Sequence, residues 1–65
     1  MSEVMTLSKK YVGREVLLDG KPAFIRGSLR QFALIAPLDP KIGMVEFAWK
    51  TVDFIMRERE GKFYS

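Results

Sequence analysis

The chain has 65 residues, 48% of them hydrophobic, with no cysteine and no histidine. That length allows one small domain. Below roughly 70–80 residues such a domain usually needs a staple or a partner, and disulfides and the usual zinc sites are excluded as staples. The formal net charge is +3; Lys9, Lys10, Arg14, Lys21, Arg26 and Arg30 face only Glu15 and Asp19 within residues 9–30, so the positive excess lies in the first half.

No run approaches the roughly 20 apolar residues that cross a bilayer. The opening "MSEVMTLSKK" lacks the apolar core of a signal peptide. These features point to a cytoplasmic protein that does not enter a membrane.

Residues 1–10 read as an N-terminal tail or a short helical turn. Thr6 or Ser8 can cap such a turn and Gly13 can end it. Leu7, Tyr11 and Val12 would then cover one end of a barrel. The domain proper is expected over 11–60. "REVLL" (14–18) reads as a strand, with Val16 and Leu18 on one face. Asp19-Gly20 suits a two-residue type I′ turn, whose central residues both need positive φ. "KPAFIRG" (21–27) follows as a strand that starts at or just after Pro22, because proline cannot donate to a ladder. Ala23 and Ile25 share one face, Phe24 and Arg26 the other.

"GSLRQ" (27–31) reads as a loop. "FALIAPL" (32–38) is a buried strand by its length, with Phe32, Leu34, Ala36 and Leu38 on one face and Ala33 and Ile35 on the other. "DPKIG" (39–43) is a turn. "MVEFAW" (44–49) alternates, placing Val45, Phe47 and Trp49 inward. The spacing of Trp49, Val52 and Ile55 by three suits a single 3₁₀ turn leading into a last strand. The alternative is a continuous helix from about 46 to 60. Its apolar positions, Phe47, Trp49, Val52, Phe54, Ile55 and Met56, would wrap around the axis and form no stripe. "RERE" (57–60) is a solvated end, and 61–65 is a C-terminal tail. The expected fold is all-β, a small five-stranded barrel with a short 3₁₀ turn before the last strand.

This order of strands resembles the SH3-like small β-barrels over roughly residues 11–57. Within that superfamily, "GMVEFAWKTV" is similar in placement to the functional strand of the plasmid-encoded type II dihydrofolate reductases. Those enzymes carry a valine-glutamine-isoleucine-tyrosine motif where this chain has Val45, Glu46, Phe47 and Ala48. With an acid for the glutamine and alanine for the tyrosine, the nicotinamide chemistry is not carried over. What the resemblance implies is assembly of such short barrels into oligomers.

No catalytic constellation can be built. Ser2, Ser8, Ser28 and Ser65 sit in no motif, and the glycines are too far apart to cradle phosphate. Asp19 and Asp39 are turn residues, and Glu46 is a solvent-facing strand position. The reading is therefore non-catalytic, with no metal and no cofactor. Trp49 is read as a core or barrel-end residue, with base stacking as the alternative.

Two functions remain. The first is a protein-interaction or self-assembling module, most simply a homodimer. It would use an edge strand or a patch including Phe24, Met44, Phe63 and Tyr64, because so much apolar surface exceeds one small core. The second is a basic nucleic-acid-binding barrel. Lys9, Lys10, Arg14, Arg26, Arg30 and Gln31 would contact phosphates, and Phe24 beside Arg26 would stack on bases. For Phe24, packing under the tail remains equally open.

Overall fold

In the computed structural model, which describes residues 3–63, the chain opens with helix α1 (Glu3–Tyr11). Leu7 and Tyr11 are buried and Val4 packs against the same core. The spacing 4, 7, 11 is one helical stripe. Lys9 and Lys10 fill the last turn, where cations suit the negative end of the helix dipole. The Val12 N–H donates to the Ser8 carbonyl at 2.9 Å, and Gly13, at φ 93°, swings the chain into the sheet. The expected tail or single turn is thus a nine-residue helix whose inner face belongs to the core. Val12 does not cover the barrel end; it is exposed.

Five strands follow: β1 (Glu15–Leu18), β2 (Lys21–Leu29), β3 (Phe32–Pro37), β4 (Val45–Ala48) and β5 (Lys62–Phe63). They form one sheet in the order β4-β3-β2-β1-β5. Neighbours pair antiparallel except β1 and β5, which are parallel. The β1–β2 hairpin turns on Asp19 (φ 53°) and Gly20 (φ 79°), with Leu18 opposite Lys21. Both central residues are left-handed, as a type I′ turn requires.

β2 runs to Leu29, so the expected loop at 27–31 shrinks to Arg30 and Gln31, with Arg30 at φ 58°. The sequence signal for a loop was Gly27-Ser28. The structure uses those residues differently. Ile25 pairs with Ile35 and Gly27 with Leu34, so Arg26 is the extra residue of a β-bulge. A bulge lets a long strand bend and lets the sheet curl.

Inside the curl lie Val16, Leu18, Ala23, Ile25, Ala33, Ile35 and Phe63, joined by Leu7 and Tyr11 of α1. Val45 and Phe47 pack against them. The curl brings side chains of the two edge strands together: the Phe47 and Phe63 rings lie 4.9 Å apart at 56°. That is a tilted contact within the favoured range for aromatic pairs. The fold is a sheet-dominated half-barrel.

The expected 3₁₀ turn and all-β class need correction. Residues after β4 form a second helix, α2 (Trp49–Glu58). Trp49, Val52 and Ile55 are buried and Met56 packs beside them, which is a helical stripe. Phe54 hid that periodicity in the sequence: it is 58% exposed and does not belong to the inner face. The helix leaves β4 without a loop; Ala48 (φ −59°, ψ 142°) is still extended and supplies no side-chain cap. Two residues end the helix in left-handed geometry, Glu60 at φ 54° and Gly61 at φ 80°. The Trp49 indole donates from Nε1 to Ser28 Oγ at 3.0 Å, tying the start of α2 to β2.

Candidate functional site

The two faces of the sheet differ in cover. Both helices share the core with the inward residues, so they lie on the concave side. Register then assigns the other face. Phe24 stands between Ala36 and Glu15, Leu34 between Gly27 and Glu46, and Leu17 between Pro22 and Lys62. Phe24, Leu34 and Ala36 are half-buried by one another, while Leu17 and Leu29 are 39% and 49% exposed. Both helices pack on the other side, and only the Phe32–Ala48 end of this face borders them, at a cleft lined by Glu3, Val4 and Lys50. Its centre is apolar, and its charges are few: Glu15, Glu46 and Lys62, with exposed Arg26 at the bulge beside it.

Of the expected interface residues, Phe24 lies on this face. Met44 is 60% exposed just before β4. Phe63 is corrected: it is fully buried against Phe47 inside the protomer and presents no surface. Tyr64 lies outside the described residues. Leu29, read from the sequence as surplus to the core, is 49% exposed here; Leu17, Leu34 and Ala36 were missed as residues of this face. The signal was the alternation in 32–38, which separates two faces without saying which one is covered.

The residues expected to contact nucleic acid do not form one patch. Lys9 and Lys10 end α1, and Arg14 follows it. The Ile25 N–H donates to the Arg14 carbonyl at 3.1 Å, so Arg14 lies beside the strand segment that leads into Arg26. Arg30 and Gln31 occupy the β2–β3 turn. Gln31 borders a cleft of about 320 Å³ with Glu3 and Val4, at the opposite end of α1 from the lysines. Phe24 faces Glu15 across the β1–β2 ladder. All of the basic residues are exposed.

A polar cluster of Tyr11, Asp53 and Arg57 ties the helices together. The Tyr11 hydroxyl donates to Asp53 Oδ1 at 2.6 Å, and Arg57 Nη1 lies 3.4 Å from Asp53 Oδ2. Burial, reinforced by the Asp53 carboxylate, raises the Tyr11 phenol above its ordinary value. The Tyr11 hydrogen bond, helped by Arg57 and opposed by burial, holds the Asp53 carboxyl below the usual carboxylate range. Lys10 Nζ sits 5.2 Å from the Tyr11 ring centroid. This is a helix–helix clamp.

Among the described residues no group of three or more acidic, cysteine or histidine side chains could hold a metal ion. No described helix is long and apolar enough to cross a membrane. No family model matches this chain, and no curated protein or solved structure matches it either.

Proposed function

We propose that this protein is a small non-catalytic interaction module that binds through the convex face of its sheet. One observation carries the reading. Leu17 and Leu29 are exposed, and Phe24, Leu34 and Ala36 only half-buried, on the sheet face turned away from the core that both helices share. Apolar residues on a solvated sheet face add nothing to the chain's own core, and contiguous patches of this kind mark interfaces. The resemblance to SH3-like barrels agrees with a binding role. It is a resemblance of strand order, in a chain that carries a ten-residue helix where that fold has a single turn.

The test is carbene footprinting of the dilute folded chain, together with Leu17→Glu. Leu17 and Leu29 should be labelled. Leu17→Glu, beside Lys62 on the neighbouring strand, should leave the unfolding free energy within about 0.5 kcal/mol, as surface substitutions do. An unlabelled face, or a dilute chain that unfolds on Leu17→Glu, overturns the reading. Protection of only Lys9, Lys10, Arg14 and Arg26 on adding duplex DNA would transfer the function to the basic end.

A further inference from the structure

We infer that the outer side of α1 lies against the surface of an anionic lipid bilayer, with Lys9, Lys10 and Arg14 among the headgroups and Met5 and Val12 pressed between them. This surface is separate from the convex sheet face and stands whether or not that face binds a partner.

Charge locates the surface. Of the 11 basic and 8 acidic residues in the chain, five basic and two acidic ones stand at the end where α1 finishes. The Gly13 N–H donates to the Ile25 carbonyl at 2.8 Å, and the Ile25 N–H donates to the Arg14 carbonyl at 3.1 Å. These bonds bring Arg14 and Arg26 to the last turn of α1, which carries Lys9 and Lys10. Arg57 joins them across the clamp of Tyr11 and Asp53. The two acids are Asp53 and Glu15. Elsewhere the signs balance, six of each, so the whole net charge of +3 gathers at this end. Among the described residues Arg57–Asp53 is the one ion pair, so no carboxylate neutralises Lys9, Arg14 or Arg26.

Helical spacing adds apolar side chains to the same surface. Val4, Leu7 and Tyr11 face the core. At about 3.6 residues per turn, Lys9 points almost directly away from them, with Met5 and Val12 on one flank and Lys10 on the other. Met5 and Val12 are exposed. Glu3, the one acid of α1, stands at its start.

That mixture selects the partner. A phosphodiester backbone would meet the cations and leave Met5 and Val12 in water, and α1 presents no exposed aromatic to stack on a base. An anionic bilayer takes both. Cations meet its headgroups, and the apolar side chains beside them enter the acyl boundary. The lysine stems cover apolar surface while their ammonium groups stay at the headgroups. A projecting helix side meets a plane along its length without a recess, and the cleft bounded by Glu3 and Gln31 lies at the other end of α1. The contact is one of surfaces, since no described helix is long and apolar enough to cross a membrane.

Co-sedimentation of the full chain with vesicles of phosphatidylcholine, alone or with about one-third phosphatidylserine, tests this. The chain should bind only the anionic vesicles, and less as salt shortens the Debye length. Lys9→Gln and Arg14→Gln should each weaken binding about fivefold, as for one charge near such a surface. Lys41→Gln, the same change of charge in the β3–β4 turn, should leave it unchanged, as should Leu17→Ser on the convex face. Val12→Trp should shift its added emission to the blue on anionic vesicles. No binding to anionic vesicles, equal binding to neutral ones, or a loss on Lys41→Gln equal to that on Lys9→Gln overturns the surface. Duplex DNA or polyglutamate bound with the same dependence on Lys9, while the Val12→Trp emission on vesicles stays that of water, overturns the bilayer in favour of a soluble polyanion.

Discussion

Closure of the half-barrel depends on Phe63, and Phe63→Ala measures how much. The ring is fully buried and lies 4.9 Å from Phe47 of the opposite edge strand. β5 pairs with β1, and flanking bonds run from Leu17 N–H to the Gly61 carbonyl at 2.9 Å and from Asp19 N–H to the Phe63 carbonyl at 2.8 Å. Truncating a buried phenylalanine costs about 3–5 kcal/mol. A domain of this length has about 3–10 kcal/mol in total, at about 0.05–0.15 per residue. The alanine variant should therefore lose at least about a third of its stability, and at the lower end of that range it passes its unfolding midpoint in buffer.

Phe63→Leu keeps most of the apolar volume and loses the ring contact, which is worth about 0.5–1.5 kcal/mol. Paired with Phe47→Leu in a double-mutant cycle, it should show a coupling of that size. Urea unfolding followed by the fluorescence of Trp49, the single tryptophan, at high dilution gives each free energy. Phe63→Ala with a midpoint unchanged from the parent would refute the closure. Strict additivity of the two leucine variants would show that the rings do not meet.

Gly20→Val forces a β-branched residue to φ 79° and should cost about 1–3 kcal/mol by the same urea assay. Gly61→Ala combines φ 80° with a Cβ that would stand 3.2 Å from Met56 Sδ; a loss of at least about 1 kcal/mol is expected, with Met56→Ala relieving part of it. Tyr11→Phe removes the hydrogen bond to Asp53, worth about 1.5 kcal/mol for a charged acceptor. Because the folded Asp53 value is lowered, that stabilisation is present above about pH 4 and fades as pH falls through the depressed value. Because the folded Tyr11 value is raised, it fades again as pH rises above about 10 and through the raised value. A parent-minus-variant stability difference that stays constant from pH 7 down to pH 2 would sink the clamp.

Local chemistry alone determined several features of this chain. Asp19-Gly20 specified the hairpin because few residue pairs tolerate two left-handed positions in succession. The alternation at Val16/Leu18, at Ala23/Ile25 and at Val45/Phe47 identified inward residues, because side-chain direction in a strand has period two. The missing cysteine and histidine removed the covalent and zinc staples. Other features were decided by tertiary structure. Whether 49–58 is helix or strand depended on Phe54 being left outside, and only packing assigns an apolar residue to solvent. The fate of Gly27-Ser28 depended on a bulge, which is visible only when β3 is laid beside β2. Phe63 read as a surplus tail aromatic because its partner, Phe47, lies at the other edge of the sheet and 16 residues away in sequence. The convex face had the same origin. Two alternating faces were legible in 32–38, but which of them the helices would cover was set by the long-range docking of Leu7, Tyr11, Trp49 and Val52 onto the other side.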